Sequence, residues 1–370
     1  MPKLTVLQML PSLNSGGVER GTLEVSRALV QAGHDSRVMS AGGRMVSELE
    51  QAGSQHLTWA VGKKSLFTLK YISRLRHYLE NNPVDILHAR SRLPAWIAYL
   101  AWKKMDPATR PRFITTVHGL YSVKKYSSIM TRGEVVIAVS NTIKQYILNN
   151  YPNVDEHNIR VIYRGVDANE FPYQYTPDQL WMDKWLEQYP QLKGNKIITL
   201  PGRLTRLKGH SDFIKLMAAI SKNHPHVVGL IVGPEDENRS AYAEEIRQQV
   251  NTAGLQQKMI FTGHRSDMRE IYAVSDIVLS LSKQPESFGR TTLEALSLGT
   301  PVIAYNQGGV GEILNAIYPE GCVVPGDLSE LISRVNDFLE ISKPVPEQHT
   351  FMLQDMLSAT LKLYEKIATK

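Results

Sequence analysis

Two series of short apolar runs, each followed by a stretch of amphipathic helical pattern, constrain the fold of this chain more than any single residue does. In the first half the runs lie at Leu4–Met9, Arg37–Ser40, Ile86–Ala89, Phe113–Val117, Val135–Val139 and Arg160–Ile162. In the second half they lie at Ile197–Pro201, Val227–Val232, Met259–Thr262, Ile277–Leu281, Val302–Ala304 and Cys322–Val324. Strands alternating with helices are the signature of parallel sheets built from βαβ units. The sequence therefore predicts an α/β protein made of two Rossmann-like domains. Ligand clefts in such sheets open at the carboxyl ends of the strands, which puts the expected active cleft between the domains. The polar stretch from Tyr173 to Asn195 reads as the connection.

The length of 370 residues suits this division, since it amounts to about two domains and buries two cores. The single cysteine, Cys322, has no internal disulfide partner, and the chain enters a strand-like run at Leu4 without a charged segment and long apolar stretch before it. A cytoplasmic protein is the expectation. The most apolar helical stretch, Leu93–Trp102, is closed by Lys103 and Lys104 and falls far short of the ~20 residues that cross a bilayer. The net charge of +6 is unevenly spread: residues 1–170 hold 22 Lys and Arg against 13 Asp and Glu, a balance of +9, and the remainder holds 20 against 23, or −3. Lysine and arginine recur from Lys63 and Lys64 through Lys103 and Lys104 to Lys124 and Lys125, a pattern that fits an anionic membrane surface, an anionic acceptor or solvated helix faces. No nucleic-acid-binding motif accompanies it.

The segment with most chemical content runs from Pro285 to Ala304, where Glu286 and Glu294 flank Phe288 and Gly289 at the start of a helix. Among 36 acidic residues that spacing alone proves little, but the small-residue helix (Ala295, Ser297, Gly299), the strand after it and the run Gly308-Gly309-Val310-Gly311-Glu312 make the strand, loop and helix series that a doubly wound sheet requires. One carboxylate can accept bonds from sugar hydroxyls and the other can reach a ribose. The amides of Arg290, Thr291 and Thr292 between them form an anion site suited to a diphosphate. Other strand ends carry further candidates. Gly16 and Gly17 follow the first strand, where glycine lets backbone approach a ligand closely. His118 follows the run Phe113–Val117, a place open to a structural or a catalytic histidine. Arg90 and Arg92 precede a Pro-started helix and serve either as a bidentate site for phosphate or carboxylate on an acceptor or as exposed charges at a helix start. Glu235-Asp236-Glu237 is an acidic loop that more simply decorates a strand end than binds metal.

These motifs resemble the donor site of the retaining family 4, or group 1, glycosyltransferases of GT-B fold, closely from Val161 onward and more loosely before it. The family's Glu, seven residues, Glu is met by Glu286 and Glu294, and its Gly-Gly-x-x-Glu by Gly308, Gly309 and Glu312. Gly202-Arg203-Leu204-Thr205-Arg206-Leu207-Lys208-Gly209 is similar to the loop whose Arg and Lys hold the donor diphosphate. The resemblance implies an acceptor-side domain at 1–170 with a final helix, 350–370, packing back on it, and a donor domain at 171–349. It implies a catalytic set of His118, Arg203, Lys208 and Glu286. Donor contacts would come from Gly16, Gly17, Phe288, Gly289, Arg290, Thr291, Thr292 and Glu294, with His264 beside the base. No cofactor and no metal is expected, because Arg203, Lys208 and the helix amides face the developing diphosphate charge. The implied reaction is retaining hexosyl transfer from a nucleotide diphosphate-sugar, UDP favoured, to a cell-envelope glycan or glycolipid such as lipopolysaccharide, by an enzyme peripheral to the inner face of the membrane. The rivals are a GT-B sugar-nucleotide epimerase, a phosphorylase using pyridoxal phosphate and a noncatalytic glycan-binding protein of the same fold. The basic first half argues against the first and the short chain against the second. The joint presence of His118, Arg203, Lys208, Glu286 and Glu294 argues against the third.

Overall fold

A computed structural model of the chain describes residues 3–14, 16–235, 240–341 and 343–369. Asp236 and Glu237 of the acidic loop lie outside the described residues. The chain divides into two compact units, Met1–Tyr163 with Gln354–Lys370, and Arg164–Leu353.

Unit 1 is a seven-stranded parallel sheet of β1 (Thr5–Met9), β2 (Asp35–Ser40), β3 (Gln55–Thr58), β4 (Ile86–Ala89), β5 (Arg112–Val117), β6 (Val135–Ala138) and β7 (Ile159–Val161), in the order β3-β2-β1-β4-β5-β6-β7. Its helices are α1 (Gly17–Gln31), α2 (Val46–Gln51), α3 (Lys70–Asn81), α4 (Arg92–Trp102) and α5 (Asn141–Asn150), joined by the C-terminal helix Leu353–Ala368. Strand β3 is absent from the apolar runs of the sequence. Its residues Gln-His-Leu-Thr occupy the sheet edge, half in water, where an apolar run is not needed to pay for burial. The core of the unit gathers Met9, Leu87, Ala89, Phe113, Val117 and Val136 from the strands with Ala98 and Ala101 from α4. Trp102 belongs to the same core and donates from Nε1 to the Pro111 carbonyl at 2.7 Å. The helix Leu93–Trp102 therefore packs on the sheet. The C-terminal helix is fastened to the unit by Tyr364, whose hydroxyl is 2.6 Å from His88 Nδ1 inside the protein.

Unit 2 is a six-stranded parallel sheet of β8 (Lys196–Pro201), β9 (Val227–Val232), β10 (Met259–Gly263), β11 (Ile277–Ser280), β12 (Val302–Tyr305) and β13 (Cys322–Val323), in the order β10-β9-β8-β11-β12-β13. The helices are α6 (Gln179–Gln188), α7 (His210–Ile220), α8 (Ser240–Thr252), α9 (Met268–Ala273), α10 (Arg290–Ser297), α11 (Gly308–Ile317) and α12 (Leu328–Glu340). The order reverses between β1 and β4 in unit 1 and between β8 and β11 in unit 2. At such a point the loops of two neighbouring strands leave in opposite directions and open a crevice at the carboxyl edge.

The stretch Tyr173–Asn195 is not a bare connection. It contains α6, capped by the Asp178 side chain on the Trp181 amide at 2.8 Å. Trp181, Trp185 and Tyr189 recur at helical spacing, with the two indoles stacked at 5.1 Å, and Trp185 is buried with Leu192, Ile197, Val228 and Ile271. The polar residues between them mask this stripe in a reading by composition. Among the described residues no helix is long and apolar enough to cross a membrane.

Trp185→Ala should lower stability by about 3–5 kcal/mol, the usual cost of truncating a buried large aromatic, and an unchanged urea midpoint would return α6 to the status of a linker. A second outcome concerns acid. His210 opens α7 with no exposure to solvent, and burial holds its imidazole down at about 4. The unfolded chain takes up that proton first, near its ordinary value of about 6.5. Stability should thus fall as pH drops from about 6.5 to about 4, by on the order of 3 kcal/mol for this group. Urea midpoints across that range should decline less in His210→Gln, and an identical acid slope in the variant would remove His210 as the cause.

Candidate functional site

Most of the expected residues stand at the carboxyl edge of unit 2, on the loops that flank its strand reversal. The loop after β8 turns through Gly202 (φ 138°) and Gly209 (φ 77°), dihedrals that side-chain-bearing residues rarely adopt. Lys208 lies between them with its stem against Gly202, where a Cβ would stand 3.2 Å from Lys208 Cδ. The Leu281 carbonyl, at the end of β11, presses on Gly209 so closely that a Cβ has no room. The Lys283 amide then donates to the Leu207 carbonyl at 2.7 Å. Backbone thus laces the β8 loop to the β11 loop before any side chain takes part.

Across that seam Lys208 Nζ donates to Glu286 Oε1 at 2.7 Å, with the two side chains 28% and 24% exposed. The Ser282 hydroxyl donates to the same carboxylate oxygen. The Glu286 carbonyl accepts from the Gly309 amide at 2.8 Å, and Gln307 Nε2 donates to the Ser282 carbonyl at 2.6 Å. Gly308 (φ 62°) and Gly309 bring the start of α11 against the backbone of Glu286 and Phe288, where a Cβ would collide. Behind this layer Asp212, buried in the first turn of α7, accepts from Lys283 Nζ and from the Tyr305 hydroxyl. Burial and then the bond to Asp212 push the Tyr305 hydroxyl up, so it remains a proton donor at neutral pH.

Helix α10 starts after Gly289 (φ 108°), and its intrahelical bonding begins with the Leu293 amide on the Gly289 carbonyl at 3.1 Å. The amides of Arg290, Thr291 and Thr292 precede that bond at the positive end of the helix, an arrangement that favours an anion. Glu294 lies one turn along, 3.6 Å from Arg290 Nε. The Thr292 hydroxyl is buried and has no hydrogen-bond partner among the described residues. Arg203 is exposed on the β8 loop, and His264 is exposed just after Gly263 at the end of β10. Phe288 departs from its expected place at a ligand. It is 4% exposed and packs edge-on against Phe351 at 6.0 Å, so it anchors the loop in the core and leaves only backbone near the site.

In unit 1 the expected residues are set on separate strand ends of one sheet. Gly16 (φ 131°) caps α1 after β1, with the Glu19 carboxylate over it, and burial pushes the Glu19 carboxyl up. Gly17 is the first residue of α1. His118 follows β5 half-buried and donates its backbone N–H to the Tyr121 hydroxyl at 3.3 Å. The two arginines are spoken for. Arg90 is 2% exposed and donates from Nε to Gln8 Oε1 at 2.7 Å, so it ties β4 to β1 and is out of reach of an acceptor. Arg92 lies 5.0 and 5.4 Å from the centres of the Tyr121 and Tyr126 rings and donates to the Ser127 hydroxyl at 3.3 Å, which makes it the clasp of the loop after β5.

The sequence reading did not find Ser282, Gln307, Asp212, Lys283 or Tyr305. Ser282 and Lys283 sit just before Glu286 at a strand end, which is a signal. Nothing in the sequence links Asp212 to Tyr305, 93 positions away.

Comparison with known proteins agrees with this geometry. The model of Glycosyltransferase Family 4 matches residues 15–170, and that of Glycosyl transferases group 1 matches residues 182–350. The crystal structure of a glycosyltransferase from Rickettsia africae ESF-5 is 33% identical, covers 99% of both chains and superposes with a TM-score of 0.85. Anabaena Alr3699/HepE, solved in complex with UDP-glucose, is 20% identical over 99% of this chain and 98% of its own, with a TM-score of 0.76. The lipopolysaccharide core biosynthesis mannosyltransferase LpsB of Rhizobium meliloti is 26% identical over 70% of this chain and 71% of its own. With two doubly wound units, a Lys–Glu pair at the strand reversal of the second, and family matches that together span both units, the chain belongs to the family 4, group 1 glycosyltransferases of GT-B fold.

Proposed function

We propose that the protein is a retaining glycosyltransferase that needs no metal and moves a hexosyl group from a nucleotide diphosphate-sugar to a cell-envelope glycan or glycolipid. The observation that carries the reading is the contact of Lys208 with Glu286 at the strand reversal, beside the α10 amino terminus. A diphosphate on Lys208, Arg203 and the amides of Arg290–Thr292 would stand next to a carboxylate suited to sugar hydroxyls. Glu294, in the same helix, would take the ribose. UDP is the favoured nucleotide of the donor because Anabaena HepE, of the same fold, is described in complex with UDP-glucose. The lipopolysaccharide mannosyltransferase of Rhizobium meliloti favours an envelope glycan as acceptor.

In the proposed reaction the bond from the anomeric carbon to the donor phosphate oxygen breaks and the acceptor oxygen bonds to the same face of that carbon. The acceptor proton passes to the departing phosphate oxygen. Negative charge grows on the diphosphate in the transition state, so fixed positive groups there stabilise it more than the ground state. Arg203 and Lys208 are those groups. His118 would bound the transferred sugar near its reacting carbon.

Glu286→Ala should lower kcat, and Glu294→Ala should chiefly raise the KM for donor, each by about ten- to hundredfold, the measure of one lost charge-assisted hydrogen bond. Wild-type kinetics in both variants would remove the site from unit 2. Turnover should also persist in EDTA, with Arg203→Ala and Lys208→Ala each losing activity at an unchanged unfolding midpoint. Strict dependence on magnesium or manganese would overturn the metal-free mechanism.

A further inference from the structure

The ammonium and carboxylate of the Lys208–Glu286 pair have more hydrogen-bonding capacity than their mutual contact uses. A carboxylate offers about four acceptor positions on its two oxygens, and an ammonium carries three N–H donors. Glu286 Oε1 accepts from Lys208 Nζ at 2.7 Å and from the Ser282 hydroxyl, which fills both of its positions. Among the described residues Oε2 accepts from none, and Lys208 Nζ donates to no other group. One oxygen of the carboxylate and two N–H groups of the ammonium therefore stand open beside each other at the strand reversal of unit 2.

Ser282 decides where that open oxygen points. The last torsion of a glutamate is broad and two-fold, so a single donor leaves the plane of the carboxylate free to turn. The ion pair does not stop it, because two side chains about a quarter exposed hold each other only weakly in water. A second donor on the same oxygen, arriving from another direction, removes the freedom. The hydroxyl can act in this way because its own backbone is fixed and the residue is only 7% exposed. The Ser282 carbonyl accepts from Gln307 Nε2 at 2.6 Å, and the next amide, that of Lys283, donates to the Leu207 carbonyl at 2.7 Å. Glu286 is held likewise, with its carbonyl on the Gly309 amide at 2.8 Å and with Pro285, whose ring fixes φ, before it. Both ends of the bond from Ser282 to Glu286 are thus tied to the start of α11, one through its capping residue Gln307 and the other through Gly309 in its first turn.

We propose that Ser282 is a positioning residue for glycosyl transfer: with Gln307 behind it, it turns the open oxygen of Glu286 toward the hydroxyls of the transferred sugar, while the two open N–H groups of Lys208 take the donor diphosphate. The inference rests on the donor-site reading and adds that the Lys208–Glu286 pair stays closed when the donor is bound. An oxygen that only accepts selects hydroxyl groups at that point of the sugar and disfavours an ether or a fluorine there. Its direction is set before the donor arrives, the condition under which a hydrogen bond helps the transition state without reorganisation. A serine that served only the fold of the loop would act differently, since its loss would loosen the phosphate and sugar contacts alike.

The test is nucleotide release from UDP-glucose and from GDP-mannose by the full chain, with cell-envelope extract as acceptor, alongside calorimetric titration of free UDP and GDP. Ser282→Ala should lower kcat by about tenfold or more, the measure of one lost hydrogen bond to a charged group. Its affinity for the free nucleotide should match wild type, because Lys208 and the α10 amides keep their places. Gln307→Leu, which releases the Ser282 carbonyl, should lose turnover in the same way and also keep the nucleotide, and it supplies the test if Ser282→Ala does not fold. Glu286→Ala combined with Ser282→Ala should be no slower than Glu286→Ala alone, since the hydroxyl has nothing to position once the carboxylate is gone. The proposal fails if Ser282→Ala and Gln307→Leu turn over as wild type does, if nucleotide affinity falls along with turnover, or if the losses of Ser282→Ala and Glu286→Ala multiply. Those results leave the donor site standing. A wild-type protein that binds neither nucleotide and releases none would instead remove the donor site, and this proposal with it.

Discussion

The seam between the loops after β8 and β11 is the constraint on which the site in unit 2 depends. A doubly wound sheet must reverse its strand order somewhere, and at the reversal the loops of two adjacent strands leave over opposite faces. Here they are tied again by the Lys283 amide on the Leu207 carbonyl and by the close approach of Leu281 to Gly209. The Lys208–Glu286 contact rests on that tie. Its side chains are about a quarter exposed, and pairs in water at this level contribute only about 0–1 kcal/mol to stability. The pair is therefore better read as geometry than as glue: it holds an ammonium and a carboxylate at one place, where a ligand carrying phosphate and hydroxyls can use both. Asp212, Lys283 and Tyr305 serve the same end from below, since they fix the β11 loop against α7 and β12.

Much of the fold was legible because parallel strands buried on both faces leave continuous apolar runs in the sequence. Twelve runs were read, and each corresponds to a strand in the two sheets. What escaped was what periodicity of apolar residues does not record. Strand β3 is polar, short and at an edge, so its only signal is pairing with β2. Helix α6 looked like a linker because charged and amide residues surround its two tryptophans. Its burial depends on where the surface of β8 and β9 lies, which is tertiary information.

The site shows the same division between local and non-local signals. Glu286 and Glu294 stood out by their place about a helix start and Lys208 through the resemblance, while Gly202, Gly209, Gly289 and Gly308 hold positive φ values that glycine adopts most readily. For Phe288, adjacency in sequence to Glu286 says nothing of the direction of the ring, which turns into the core against Phe351 and leaves the backbone of the residue beside Gly309. Arg90 and Arg92 share a strand end with charges on view in the sequence, yet one is buried against Gln8 and the other lies beside two tyrosine rings. A basic residue at a strand end is thus a weak indicator of ligand binding until its own partners are known.

Electrostatics works at two ranges in this molecule, and net charge describes only one of them. Residues 171–370 balance to −3, and they still carry Arg203, Lys208 and the α10 amino terminus, the groups proposed for the diphosphate, since such groups act on a ligand over a few ångströms and need no net positive charge around them. Distant acidic residues of the same unit are screened beyond about 10 Å at ordinary salt. In residues 1–170 the excess of +9 includes Lys63, Lys64, Lys103, Lys104, Lys124 and Lys125, exposed outside the strands and helices, and there the sum of charges acts, over a surface and at longer reach. A substitution in the first setting should alter the binding of one ligand, whereas a substitution in the second should alter the attraction of the whole face in proportion to the charge removed.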